Sequence, residues 1–201
     1  MIPKITNFAH HMENQLIVFL KSFGTFQDAD TALIAAATES RIYHEGDYLF
    51  KSEKICREMF FVCKGVLRVM VINEQGNEVT HFFLKENQFC SILNSFNNRV
   101  VAHESIQAAC DAEVLVLSRK NLDQLYIQIP YLKELITQIT HQGLLDKIAL
   151  RNSYLGHDST ARYKLFLSQQ PLVASQVQLG DIASYLGITP QSLSRIRKNI
   201  R

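Results

Sequence analysis

The residues best suited to chemistry lie near the C-terminus, in LGDIASYLGITPQSLSRIRKN, Leu179 to Asn199. Apolar side chains recur at Ile182, Leu186, Ile188, Leu193 and Ile196, as they would in a wedge between two short helices. Ala183 is small where the helices must cross closely, and Gly187 can take the left-handed backbone of a tight turn. Thr189 is an N-cap candidate, and Pro190 suits the first helical position, where a missing N–H costs nothing. Together these positions predict a helix-turn-helix. With Leu193 and Ile196 facing inward, the outer face of the second helix presents Gln191, Ser192, Arg195 and Lys198 or Asn199. Gln can bond adenine bidentately and Arg guanine in the major groove, while Ser, Thr and Lys suit phosphate oxygens. The terminal run RIRKNIR carries Arg195, Arg197, Lys198 and Arg201 and no acid. The chemistry expected is recognition of double-stranded DNA; the blander alternative is a helical hairpin with a solvated basic face.

Other reactive residue types form no comparable pattern. Cys56, Cys63, Cys90 and Cys110 fall in apolar, strand-like sequence without a C-x-x-C pair, which predicts free, buried thiols. Cys90 and Cys110 could form a redox pair if their strands adjoin. A barrel enzyme of the cupin type needs two histidines separated by one residue plus a nearby Glu, so that ligands converge on one ion. There is no H-x-H, and the adjacent His10 and His11 would diverge on a helix. G-x-S-x-G, a Walker loop and G-x-G-x-x-G are also absent, so neither a metal site nor an enzyme is expected.

The elements that must position these residues follow from composition and periodicity. With 201 residues, 47% hydrophobic and 20% charged, the chain is globular in composition, not disordered or collagen-like. A net charge of +2 leaves the basic end as a local feature. No apolar run reaches the roughly 18 residues of a membrane span, and MIPKITNFAHHMENQ lacks a signal-like apolar core. A cytoplasmic protein with no membrane partner is expected. Residues 13–39 read as a helical lead-in, with Leu16, Phe19, Leu20 and Phe23 on one face, then Ala32 to Ala37 after a break at Gly24. From Ile42 to Ser118, YLF, MFFVC, VLRVMVI, EVTHFFL, SIQAA and EVLVLS read as short strands, with a hairpin at Asn73 to Asn77. Strands so spaced, without intervening helices, imply an antiparallel barrel or jelly roll. Pro130 then opens a long helix carrying Leu132, Leu135, Ile136, Ile139, Leu144, Leu145, Ile148 and Ala149, a stripe able to cover its own domain or pair with a second copy. Asp158 or Ser159 caps a further helix that runs through Ser168 and ends near Pro171. The fold class is α+β, divided as 1–125 lead-in and β-roll, 126–156 dimerisation helix and 157–201 helix-turn-helix.

From about Asp28 to Arg201 this order of parts resembles the Crp/Fnr family of bacterial transcription regulators. Gly46 in HEGD, Gly65 in FFVCKGVLRV and Gly76 in NEQGNE stand where that family's β-roll places turn glycines, and AEVLVLS resembles its closing strand. IASYLGITPQSLSRIRKNI is similar to a short Bacteroidetes-type branch. The resemblance implies an N-terminal antiparallel β-roll (a jelly roll like a cyclic-nucleotide-binding domain), a long dimerisation helix and a C-terminal helix-turn-helix. It also implies a homodimer joined through residues 130–155 on a near-palindromic operator, with RNA polymerase as a further partner. Matched onto Q-S-L-S-R, the family's base readers are Gln191, Ser194 and Arg195. With Ser192 beside them and Thr189 and Lys198 on phosphates, these form the expected DNA-binding set. Gln191 stands where the family often has Glu, so an altered base preference is expected.

The sensor departs from the family's pattern. Cyclic-AMP-binding members carry a Gly-Glu pair for the ribose, then Arg followed by Ser or Thr for the cyclic phosphate. The corresponding ENQFCSILNSFNNRVVAHESIQAA holds neither, and Ala102 and His103 stand where Arg and Ser would. Lys147 and Ile148 replace the two hydroxyl residues that touch adenine. Cyclic AMP is therefore not expected, the effector is unknown, and Arg99, His103 and Lys147 are the candidate pocket residues. No Cys precedes Cys56, against an iron-sulfur sensor; His44, His81 and His103 are available to haem but read better as structural or exposed. No cofactor is expected. Regulation would shift the helix near Leu145 to Tyr154 and with it the reading heads. The competing reading is a ligand-binding regulatory module without a DNA role, which leaves the helix-turn-helix positions without a purpose.

Overall fold

The structure, a computed structural model, describes residues 15–200; the readings at His10, His11 and Arg201 lie outside them. Helix α1 (Gln15–Lys21) buries Leu16, Ile17 and Leu20, and α2 (Asp28–Ala37) buries Ile34. Asp28 and Asp30 lie in the first turn of α2, where carboxylates oppose the positive end of the helix dipole. Phe23, expected on the face of Leu16 and Leu20, falls beyond the end of α1 and is exposed.

The β-roll follows: β1 (Thr38–Tyr43), β2 (Tyr48–Phe50), β3 (Lys54–Ile55), β4 (Glu58–Lys64), β5 (Leu67–Ile72), β6 (Glu78–Leu84) and β7 (Phe89–Cys90). A short helix α3 (Leu93–Asn98) precedes β8 (Val101–Ala102), β9 (Ser105–Ala108) and β10 (Ala112–Ser118). Two four-stranded sheets, β1-β10-β4-β7 and β2-β9-β5-β6, enclose the interior, and β3 pairs with β8. The pairings are antiparallel. The α+β class and the jelly roll are as expected. The first strand, however, begins at Thr38 and not Ile42. Thr38, Glu39 and Ser40 are polar, yet they pair with Leu117, Val116 and Leu115 of β10, because an edge strand needs backbone partners more than an apolar pattern.

Strand β4 shows why MFFVC reads as one apolar run. Phe60 and Val62 enter the roll's interior, whereas Met59 and Phe61 enter a second core under the helices, so both faces are buried. Gly65 turns the chain from β4 into β5 at φ +84°, and a Cβ there would lie 2.2 Å from the Asp111 carbonyl oxygen. Gly76 in the β5–β6 hairpin has φ +80° with open space around it. There Asn73 Oδ1 accepts from the Gln75 and Asn77 amides at 3.0 and 2.9 Å.

Ser118 caps α4 (Arg119–Gln128) by accepting from the Asn121 amide. Pro130 opens α5 (Pro130–Asn152), whose Leu132 and Ile136 bury against α1, α2 and β4. Asp158 caps α6 (Ser159–Gln169) through the Thr160 and Ala161 amides at 2.8 and 2.9 Å. Pro171, expected only to end that helix, also opens α7 (Pro171–Gln176). Then come α8 (Leu179–Leu186) and α9 (Pro190–Ile200). No helix among the described residues is long and apolar enough to cross a membrane.

The C-terminal helices dock on the β-roll. Val66, Phe83 and Ala109 share a core with Tyr154, Phe166, Ile182, Tyr185 and Leu193, and the Phe83 and Tyr185 rings lie 5.1 Å apart. The Ser184 hydroxyl accepts from the Thr80 amide at 2.9 Å and donates to the Glu78 carbonyl at 3.0 Å. Beneath them Arg68 of β5, only 4% exposed, donates to Gln107 and pairs with Glu78 of β6 and Asp181 of α8. Burial raises the Asp181 carboxyl's pKa, and Arg68 opposes that shift.

Gly65→Ala should cost about 3 kcal/mol or more, since backbone strain adds to a main-chain clash. Gly76→Ala should cost about 1 to 2 kcal/mol, and denaturant melts of the two variants will rank them. Arg68→Met should cost about 3 to 5 kcal/mol by leaving Asp181 and Glu78 without their buried cation. Limited proteolysis should then open the segment between Ser153 and Asp158 more rapidly than in the parent chain.

Candidate DNA-reading face and effector cavity

Helix α8 closes with the geometry its sequence predicts. Gly187 has φ +66°, its amide donates to the Ser184 carbonyl at 3.2 Å, and the Ile188 amide reaches back to the Ala183 carbonyl at 3.0 Å. This pair of bonds is the Schellman arrangement, which needs a left-handed residue where Gly187 stands. Two residues later Thr189 Oγ1 accepts from the Ser192 amide at 3.1 Å, capping α9, and Pro190 occupies its first turn. Ala183 and Leu193 are fully buried where the helices cross. Arg162 of α6 donates to the Leu186 carbonyl at 2.7 Å, satisfying an end group of α8 from a third helix.

Gln191, Ser192, Ser194, Arg195 and Lys198 are all exposed, as are Thr189, Arg197 and Asn199. Gln191, Ser194, Arg195 and Lys198 lie on the face of α9 away from Leu193, as helical spacing requires. Among the described residues no side chain or carboxylate engages these four, so their donors and acceptors are free for a partner. Thr189 differs, because its hydroxyl is committed to the cap and to Ser192 Oγ at 2.9 Å. The one acid between Leu179 and Ile200 is Asp181, and it pairs with Arg68. The outward face of α9 is therefore exclusively basic.

The expected effector residues separate. Lys147 lines a cavity between the β-roll and α5, together with Glu104, Ser91, Asn94, Thr140 and an apolar set. Its ammonium donates to the Gly143 carbonyl at 2.9 Å, and burial lowers its pKa. Arg99 ends α3 in the left-handed conformation, φ +58°, and lies exposed outside that cavity. His103 is exposed as well and faces Glu53 at 3.2 Å. The lining residues missed in the sequence come from separate strands, their connecting loops and the start of α3, although Thr140, Leu144 and Lys147 share helical spacing and could have marked one face of α5.

Cys90 and Cys110 belong to different sheets: Cys90 is in β7, beside β4, while Cys110 follows β9, beside β2 and β5. The adjoining strands that a redox pair requires are thus missing. Burial pushes the Cys90 thiol up to about 12, and Cys110 Sγ accepts from the Val66 amide at 3.2 Å. His44 lies beside Asp111, and His81 is held below the usual imidazole range by burial and Arg151. Among the described residues no group of three or more His, Cys, Asp or Glu is arranged to hold a metal ion.

Residues 40–128 match the family model of the cyclic nucleotide-binding domain. No curated protein matches the chain. Solved structures do, at low identity. The c-di-GMP responsive global regulator CLP of Xanthomonas campestris is 16% identical, with a TM-score of 0.66 over 87% of this chain and 91% of that one. A Crp/Fnr-family transcriptional regulator from Eubacterium rectale is 16% identical, with a TM-score of 0.65 over 93% and 87%. A CooA mutant from Carboxydothermus hydrogenoformans is 18% identical, with a TM-score of 0.63 over 98% and 85%. Residues 40–128 are thus a cyclic nucleotide-binding-type domain, and the described residues share the fold of the Crp/Fnr regulators.

Proposed function

We propose that this chain is a sequence-specific DNA-binding transcription regulator that acts in the cytoplasm as a homodimer, in the short Bacteroidetes-like branch that its terminal stretch resembles. The observation that carries the reading is α9. It is capped and wedged by Thr189, Pro190 and Leu193, and it turns Gln191, Ser194, Arg195 and Lys198 outward with no acid among them. Gln191, Ser194 and Arg195 are the base readers, and Ser192 and Lys198 reach phosphates. Thr189 acts chiefly as the cap that orients them.

The dimer reading rests on α5. Its expected stripe divides: Leu132 and Ile136 are buried in the chain's own core, while Leu145 is 46% exposed, Ile148 42% and Leu155, just beyond the helix, 71%. Within α5, His141, Leu145, Ile148 and Asn152 alternate in steps of four, three and four, the spacing of a two-stranded coiled-coil seam. A dimer on a two-fold site needs its two α9 helices roughly 34 Å apart, one turn of DNA. RNA polymerase is the expected downstream partner of the DNA-bound dimer.

Selection from a randomised duplex pool, with the solution mass measured alongside, should return a two-fold symmetric site bound by a dimer. Affinity should fall steeply with salt as phosphate contacts release counterions. Arg195→Ala should lose about 1 to 3 kcal/mol of specific binding without lowering the melting temperature; unchanged affinity would remove Arg195 as a reader. Leu145→Glu combined with Ile148→Glu should give a monomer by sedimentation, and a persistent dimer would move the interface elsewhere.

A further inference from the structure

The cavity between the β-roll and α5 has a volume of about 170 Å³. Its walls are largely apolar, including Met59, Val69, Phe82, Leu84, Phe89 and Leu144. Among the described residues, its two hydroxyls and the Asn94 carbonyl oxygen are already engaged, while the Asn94 amide N–H groups are not. The Ser91 hydroxyl donates to the Glu58 carbonyl at 3.0 Å, Thr140 donates to the Ile136 carbonyl at 2.8 Å, and Asn94 Oδ1 accepts from Asn98 at 2.8 Å. Two charged side chains complete the lining, Lys147 and Glu104. Among the described residues the Lys147 ammonium donates a single bond, to Gly143, and an ammonium has three donors.

We propose that this cavity binds a compact apolar monocarboxylate, a single aromatic ring or a short branched chain, with Lys147 holding the carboxylate. Size comes first: an apolar cavity of about 150 Å³ accommodates one benzene, so the inner part of this one matches a single ring or a short branched chain. Charge comes second. A cyclic phosphate needs several converging donors, whereas here one ammonium is available and Arg99 lies outside. The apolar walls favour a hydrocarbon body by removing it from water. An anion against Lys147 would also restore the charged form that burial disfavours. The inference names the effector class for the sensor half of the proposed regulator, and it rests on that reading only for its regulatory consequence.

The test is a fluorine NMR titration of the full chain, without DNA, using 4-fluorobenzoate as the probe and 4-fluorobenzamide as its uncharged isostere. Saturable binding of the benzoate is expected with a Kd of about a millimolar or tighter, reasonable for so small a ligand. Lys147→Met should weaken the benzoate by about tenfold or more, the loss of one charge-assisted hydrogen bond, and leave the amide unchanged. Leu144→Trp, which fills the space, should abolish both, and cyclic AMP should not displace the benzoate. A cooperative melt confirms that each variant is folded. Should Lys147→Met not fold, a preference of about tenfold for benzoate over benzamide in the parent chain carries the same information. Absence of saturable benzoate binding, equal affinity in Lys147→Met, or displacement by cyclic AMP overturns the proposal. Because no DNA is present, such a failure leaves the DNA-binding reading standing, and a failed duplex selection leaves the cavity result standing.

Discussion

A guanidinium buried in a β-sheet has to be neutralised, and much of this molecule's arrangement depends on how that is done for Arg68. Gln107 and Glu78 hold it from the neighbouring strands, but Asp181 comes from α8. A lone buried charge is far more costly than a paired one, so the sheet favours the docked position of α8. Phe83 against Tyr185 and Ser184 between Thr80 and Glu78 then make that position specific. The apolar contacts supply most of the adhesion, while the charged and hydrogen-bonded ones set its register. Because α9 is wedged on α8 through Leu193, the orientation of the basic face is inherited from a salt bridge between the β-roll and α8.

Helix α5 joins the three surfaces to which roles are proposed. One face carries Leu132 and Ile136 into the helical core, another presents Thr140, Leu144 and Lys147 to the cavity, and a third exposes Leu145 and Ile148. One turn beyond Lys147, Arg151 donates to the His81 carbonyl of β6 at 3.0 Å, on the strand that receives α8. Rotation or translation of α5 would therefore be felt at the cavity, at the seam and at the docking strand together. A rigid helix that meets three different surroundings has few independent ways to move.

What was legible in the sequence follows the range of the interactions concerned. The turn at Gly187, the cap at Thr189 and the wedge at Leu193 are decided within about twenty residues, and local backbone chemistry specifies them. The Asp158 cap and the opening of α5 at Pro130 are local in the same sense. Strand β1 was partly hidden, since an edge strand of polar residues has no apolar alternation to read. The Arg in VLRVMVI was a visible anomaly, a charge within an apolar strand, but its partner Asp181 lies 113 positions away and no spacing rule connects them. The cavity is of the same kind, assembled from β4, β5, β6, β7, the start of α3 and α5. Lys147 could be picked out by its helix position, whereas Arg99 and His103, matched from the family's cassette, lie exposed outside the cavity.

These features limit how an effector could act. A ligand shifts an equilibrium only by its differential affinity for the two states, and a molecule of one ring and one carboxylate carries only a few kcal/mol of binding free energy in all. The switch it operates must therefore be poised within that margin. A docking interface held by apolar packing alone would be hard to poise so finely, because its strength grows with area. A buried ion pair is different: large opposing terms of desolvation and attraction nearly cancel, so small displacements of β5, β6 or α8 alter the balance appreciably. Arg68 and Asp181 are thus better placed than the surrounding aromatic contacts to let a weak event at Lys147, transmitted along α5 and β6, reorient α9.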